Sequence, residues 1–250
     1  MKKVLICGES YFGYTIHIKG ADTMETTGYH EQVGWLKDAL INSGYEVSYL
    51  PNHEVVNGMP STVEGLSEYD LIILSDVGAN TLMMPDRSFQ ESLPTPDRCN
   101  AIKEYVEHGG SLVLVGGFMS FTGIEGKARY GMTPIADILP VDLLTYDDRV
   151  EISSGIVPMI KNIDHPIFKN MSSNWKSYFI GYNKTIENIT KGEVLATING
   201  DPFIAVSEIN KGKVVVFTSD CAPHWAPQSF LDSPEYRIIW KNIADWATNK

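Results

Sequence analysis

Apolar residues fall into two periods along this chain. Four short runs, Val4 to Cys7, Leu71 to Leu74, Leu112 to Val115 and Val214 to Phe217, are apolar at every position. A strand with no polar face needs cover on both sides, so these runs predict the core of a parallel sheet. Glu46 to Leu50 is more mixed and predicts a fifth strand nearer an edge. Between the runs the period lengthens to that of a helix. His30 to Ser43 sets Val33, Leu36 and Leu40 on one face and ends at Gly44, a suitable C-cap. Asp97 to His108 does the same with Ile102, Tyr105 and Val106, then stops at Gly109-Gly110. From Pro234 onward, Tyr236, Ile239, Trp240, Ile243, Trp246 and Ala247 share one broad face, the pattern of a helix docked on a sheet. Alternating strands and helices predict right-handed βαβ units and hence a three-layer α/β/α sandwich.

The stretch from Val141 to Ser207 reads differently. Ser177 to Tyr182, Val194 to Ile198 and Phe203 to Ser207 are short alternating segments. The turns Asn199-Gly200-Asp201-Pro202 and Asn210-Lys211-Gly212 set them off and predict an antiparallel extension leading into the last core strand. There is no linker, repeat or low-complexity segment, so residues 1–250 are expected to form one α/β domain.

Charge narrows the partners. The net charge is -11 and the pI about 5.0, which argues against nucleic acid or an anionic membrane, both of which call for a basic surface. No apolar run reaches the ~18 residues of a membrane span, and the run before Gly8-Glu9 is too short for a signal peptide. Cys7, Cys99 and Cys221 are too widely spaced for a disulfide framework or a zinc site, and a reducing cytoplasm is the expected compartment. No Gly-x-Gly-x-x-Gly follows the first strand and no His/Cys cluster occurs, so neither a dinucleotide nor a tightly bound metal is expected.

Polar residues gather where the core strands end: Gly8-Glu9-Ser10, then Ser75-Asp76-Val77-Gly78-Ala79-Asn80-Thr81, then Gly116-Gly117-Phe118-Met119-Ser120-Phe121, then Thr218-Ser219-Asp220-Cys221-Ala222-Pro223-His224-Trp225. In an open parallel sheet these ends share one edge, and ligands bind in the crevice there. Two connections leaving that edge, Ser10 to Gly28 and Asp76 to Pro96, read as long loops. Each candidate has a chemical and a structural reading. Glu9 could act as a general acid or base, or bond loop amides. Asp76 and Asn80 could bind hydroxyls or cap a turn. Gly116 and Gly117 could present N–H groups to an oxyanion or simply form a tight strand exit. His224, with Asp220 four residues before it, could be an oriented imidazole or a structural histidine. Cys221 could be a nucleophile or an inert buried thiol. His17, His30, His53, His108 and His165 have no second ligand at metal spacing and read as surface or loop residues. Lys127, Arg129 and Arg149 could recognise an anion or be solvated.

Taken together, the strand order, the segment from Ile102 through Gly109-Gly110 to Gly116-Gly117, the Gly123-Ile124-Glu125-Gly126-Lys127-Ala128 stretch and the Ser219 to Trp225 ending resemble the class I glutamine amidotransferase-like superfamily over nearly the whole chain. The likeness is to a bacterial group of cytoplasmic glutamine amidotransferase-like proteins and, more distantly, to trehalose-utilisation-like proteins and the sheet domain of some β-galactosidases. It implies a flavodoxin-like, mostly parallel sheet. Enzymes of that family carry their nucleophile in a Gly-x-Cys-x-Gly elbow. Here the corresponding strand runs Val115-Gly116-Gly117-Phe118-Met119-Ser120, with Gly117 or Phe118 in the cysteine's place. The family histidine precedes Pro-x-Glu, whereas here Pro223 precedes His224 and Trp225-Ala226-Pro227 follows.

The expected function is therefore a glutamine amidotransferase-like protein without ordinary glutaminase activity. It would bind a small polar metabolite, such as a sugar, through Glu9, Ser10, Asp76, Asn80, Gly116, Gly117, Phe121 and Trp225, with Tyr11 and Phe12 as further apolar walls. Two alternatives stand beside it. One is a hydrolase or transferase with a relocated nucleophile, Ser120 or Cys221, working with His224 and Asp220. The other is an assembly module, and a homo-oligomer is compatible with all three.

Overall fold

In the computed structural model, which describes residues 1–249, the chain begins with β1 (Lys3–Gly8), β2 (Ser10–Lys19) and β3 (Asp22–Glu31). It continues through β4 (Glu46–Leu50), β5 (Leu71–Ser75), β6 (Ser111–Val115), β7 (Val141–Leu143), β8 (Arg149–Ile156) and β9 (Met159–Ile160). The last strands are β10 (Phe179–Asn183), β11 (Thr185–Glu187), β12 (Glu193–Ile198), β13 (Asp201–Ile209) and β14 (Gly212–Phe217). Eight of them form one sheet in the order β4-β1-β5-β6-β14-β13-β12-β9. The first five are parallel neighbours, and the remaining pairings are antiparallel.

The doubly apolar runs are the central parallel strands, and their period of two divides them between two cores. Val4, Ile6, Leu71, Ile73, Val113, Val115, Val215 and Phe217 pack on one side, with helices Gly34–Ile41 and Pro234–Thr248. Leu5, Cys7, Ile72, Leu74, Leu112, Leu114, Val214 and Val216 pack on the other, with helix Arg98–Glu107 and the short helices Asn52–Gly58 and Val63–Leu66. Trp240 and Phe217, 5.1 Å apart, join the last helix to the last strand. The result is a three-layer α/β/α sandwich with an antiparallel extension, as the hydrophobic pattern predicts, and its parallel strand order is the flavodoxin-like one that the family resemblance implies.

Four local expectations are corrected. Residues 10–28 are not a loop: β2 and β3 pair residue for residue as a hairpin from Ser10↔Glu31 to Lys19↔Asp22. The strand signal was the alternation of Phe12, Tyr14, Ile16 and Ile18, closed by a turn at Gly20, whose φ of 64° suits glycine. Since His30 and Glu31 belong to β3, the first helix starts at Gly34. The connection from Asp76 to Pro96 is partly helical, over Ala79–Met83 and Asp86–Glu91. Ser177 to Tyr182 contributes β10, which pairs with β8 outside the main sheet.

Candidate functional site

The parallel strands deliver their following residues to one edge, where a crevice of about 430 Å³ opens. Its walls come from four segments: Glu9, Ser10 and Tyr11 after β1; Asp76 after β5; Phe118, Met119 and Ile124 after β6; Asp220, Pro223 and His224 after β14. Gln32, just past the hairpin, completes it.

Backbone geometry lifts the acidic side chains into this space. A Cβ on Gly8 would lie 1.8 Å from the Ser75 carbonyl oxygen, so only glycine lets β1 pass so close to β5. Glu9 and Asp76 follow their strands in the left-handed region, φ 51° and 52°, and His224 has φ 145°. Such conformations in non-glycine residues persist where the surroundings enforce them, and they gather at functional sites. The enforcing contacts are visible. The Glu9 amide donates to the Ser75 carbonyl at 3.1 Å, and the Glu9 carbonyl accepts from Gln32 N–H at 2.8 Å. Asn52 clamps the two loops together. Its amide Nδ2 donates to the carbonyls of Ser10 and Asp76 at 2.9 and 3.0 Å, and its backbone N–H donates to Ser10 Oγ at 2.8 Å.

Three carboxylates thus meet in a nearly dry place. Glu9 is 6% exposed and Asp220 5%. Glu9 Oε1 accepts from Ser75 Oγ at 2.5 Å, and Asp220 Oδ1 accepts from the Ala222 amide at 2.9 Å. Burial, followed by the charge of Asp76, pushes the Glu9 carboxyl up to about 7. Asp220 is driven well above the ordinary carboxylate range by burial and then by Glu9 and Asp76. Asp76 is raised by burial, an effect opposed by the hydrogen bond from the Met119 amide. Carboxyls this close do not all ionise together, so at neutral pH the group offers both hydrogen-bond donors and acceptors. His224 is lowered by burial and is neutral at pH 7. Its Nδ1 is 3.9 Å from Asp220 Oδ2 and its Nε2 3.7 Å from Glu151 Oε1, while Phe118 packs edge-on at 4.1 Å.

The other candidates are placed elsewhere. Ser120 is fully buried, and its Oγ accepts from the Asp76 amide at 3.1 Å. Cys221 is buried with Sγ 3.3 Å from Ser75 Oγ, and burial holds its thiol well above the usual value, so it stays protonated. Neither residue lines the crevice beside His224. Gly116 N–H is bonded to the carbonyls of Phe217 and Ser219, and Gly117 N–H to Asn183 Oδ1, which leaves neither for an oxyanion. Phe121 lies wholly in the core. Trp225 is buried against Gly181 and donates from Nε1 to Glu151. Asn80 is exposed on helix Ala79–Met83, away from the crevice. Of the cations, Lys127 pairs with Glu125, Arg149 with Asp147, and Arg129 approaches the Met132 sulfur; none lines the crevice.

Several contributors escaped the sequence reading. Asp148, 1% exposed, accepts from the amides of Thr122 and Gly123 and from Asn183 Nδ2, and Asn183 in turn holds Gly117. This chain of bonds fixes the loop carrying Phe118 and Met119. Gln32, Met119, Ile124 and Pro223 were also missed as wall residues. One atom each from Glu9, Asp220 and Cys221 lies within 4.8 Å of the others, a set that could hold a cation. The fit is poor for a soft metal, because the thiol would have to lose its proton beside two carboxyls.

Gly117 occupies the turn after β6 with φ 147°. A Cβ there would stand 2.7 Å from Asp76 Oδ1 and 3.0 Å from its Cβ and Cγ. The space a side chain would need at this turn is already filled by a carboxylate.

Residues 3–249 match a family model described as "Putative glutamine amidotransferase". No curated protein sequence matches the chain. Among solved structures, a cytoplasmic protein of Salmonella typhimurium is 38% identical, with 99% of each chain covered and a TM-score of 0.94. A second, from Salmonella typhimurium LT2, is 40% identical over 99% of this chain and 100% of that one, also at 0.94. A ThuA-like protein of Bacteroides uniformis is 12% identical over 97% of this chain and 89% of that one, at 0.55, a likeness of fold alone.

Proposed function

The chain belongs to this glutamine amidotransferase-like family, and from that premise we propose that it binds a small, uncharged, hydroxyl-rich molecule such as a sugar instead of hydrolysing glutamine. One arrangement carries the reading: Glu9, Asp76 and Asp220 converge in a crevice that, among the described residues, no lysine or arginine lines. Carboxyl groups sharing protons accept and donate to hydroxyls, while an anionic ligand would meet only repulsion. The rings of Phe118 and Tyr11 supply flat apolar walls, and the crevice has the size of small-molecule sites in general, ~300–1,000 Å³. Against glutaminase chemistry stands Gly117, which has no side chain to attack a carbonyl, with Asp76 occupying the room such a group would need. The buried free thiols suit a reducing compartment, and both Salmonella relatives are called cytoplasmic proteins, so the cytoplasm is the proposed location.

A second reading rests on Glu9, whose carboxyl, pushed up to about 7, is matched to general acid–base work on the same ligand. The binding reading is tested by thermal-shift screening against neutral sugars and polyols, amino acids, dicarboxylates and nucleotides. Stabilisation confined to neutral hydroxylated compounds, and lost in Asp76→Ala, is the expected result. Stabilisation by dicarboxylates or nucleotides would overturn it. Product release from the stabilising compound, abolished in Glu9→Gln, would convert binding into catalysis.

A further inference from the structure

The hairpin of β2 and β3 is exposed along nearly its whole length. Its pairing register sorts its side chains onto two faces. One carries Tyr11, Thr15, His17 and Lys19 opposite His30, Thr26, Met24 and Asp22. The other carries Phe12, Tyr14, Ile16 and Ile18 opposite Tyr29, Thr27, Glu25 and Thr23. On this second face Phe12 is 65% exposed, Tyr14 58%, Ile16 54%, Ile18 73% and Tyr29 43%. Only its root is covered, by His53, whose ring lies 5.3 and 5.4 Å from Phe12 and Tyr29.

Strict alternation of large apolar with polar side chains is the mark of a sheet with one buried face, yet none of the described residues buries this one beyond its root. An isolated two-stranded hairpin is marginal in water, and a long apolar hairpin with open edges invites pairing with another chain. The two carboxylates of the face, Glu25 and Glu31, both lie on β3. Tyr29 Oη donates to Glu31 Oε2 at 2.9 Å. The face therefore offers tyrosines, isoleucines and threonines, and its aromatic and aliphatic stripe along β2 suits the centre of an interface.

We propose that this face is the contact through which two copies of the chain associate about a two-fold axis. Area supports a second copy as the occupant. Five half-exposed large side chains at roughly 100 Å² each, together with the threonines and one strand edge, approach the ~800 Å² per partner of a standard interface. A two-fold contact also sets apolar stripe on apolar stripe without requiring a complementary surface elsewhere. The face carries no lysine or arginine, which disfavours an anionic membrane as its cover. Tyr11 and Gln32 sit at the hairpin's root and also line the crevice, so association would stiffen one wall of the site.

Sedimentation velocity of the full chain at micromolar concentration tests the proposal, with Ile16→Lys/Ile18→Lys against the opposite-face control Thr15→Lys/Thr26→Lys. The native chain and the control should sediment at the mass of a dimer or an even multiple of it. The apolar-face variant should fall to monomer while keeping the native far-UV circular dichroism spectrum, and its thermal unfolding should no longer depend on concentration. Hydrogen exchange needs no variant: amides of residues 10–31 should gain protection as concentration rises. A native chain that stays monomeric would overturn the proposal, as would an apolar-face variant that remains assembled, concentration-independent exchange, or flotation of the native chain with anionic vesicles.

Discussion

The crevice and the hairpin depart from the ordinary partition of side chains in opposite directions. The crevice withdraws the carboxyls of Glu9 and Asp220 from water, with the partly buried Asp76 beside them, and the hairpin leaves Phe12, Tyr14, Ile16 and Ile18 in it. Buried polar groups and exposed apolar faces are the informative exceptions to hydrophobic burial. Asp148 shows that burial alone is not the exception. It is as buried as Glu9, but three donors satisfy it and it serves the loop that holds Gly117. Glu9 has only the Ser75 hydroxyl and the weakly donating Cys221 thiol, no backbone amide, and two acidic neighbours. A carboxylate with its donors in place is scaffold, whereas one short of them is held ready for something that supplies the rest.

The largest expected effect breaks the comparison at Glu9. Its carboxyl lies near 4.5 ordinarily and is pushed up to about 7 in the fold, so the folded state holds the proton more tightly. The stability this gives is fully present below about pH 4.5 and is lost as pH rises to about 7, on the order of 3 kcal/mol in all. Asp220, raised by the same causes, adds in the same direction. Glu9→Gln should therefore melt higher than the native chain at pH 8 and close to it at pH 5, as followed by circular dichroism. An unchanged pH profile would remove the unsatisfied-carboxyl account.

Gly117→Cys comes next. It restores the residue type of the family's elbow at a position with φ 147° whose Cβ would meet Asp76. A stability loss of about 1–3 kcal/mol is expected, with no ammonia released from glutamine. Ammonia release would show that Asp76 yields its space readily. The smallest effect belongs to the hairpin: Ile18→Ser should change the unfolding free energy of the monomer, read at a concentration too low for association, by less than about 0.5 kcal/mol, because Ile18 contributes nothing to either core. A large loss would place the hairpin inside the folding unit.

The sequence made the sheet legible because its central strands are apolar at every position, a pattern that burial on two faces alone produces. It also brought Glu9, Ser10, Asp76, Asp220 and His224 to one edge, since strand ends in a parallel sheet converge by topology. The hairpin was missed because its alternation signals a half-buried strand, and among the described residues only His53, at its root, packs on that face. Asn52, Asp148 and Asn183 were invisible for another reason. Their partners lie on segments distant in sequence, and no local spacing encodes such contacts. Phe121 and Trp225 were misplaced because an aromatic residue after a strand can turn either way. Phe121, at φ 53°, turns into the core, and Trp225 turns onto Gly181.

The most direct test of the central claim is saturation-transfer NMR on the full chain at pH 6. The probe is a mixture of glucose, galactose, mannose, ribose, trehalose and myo-inositol, with glutamine, citrate and AMP. Transfer to one or more of the neutral hydroxylated compounds is predicted, lost in Asp76→Ala and weakened as the pH is raised and the crevice carboxyls ionise. Transfer confined to glutamine or to the anions would contradict the account.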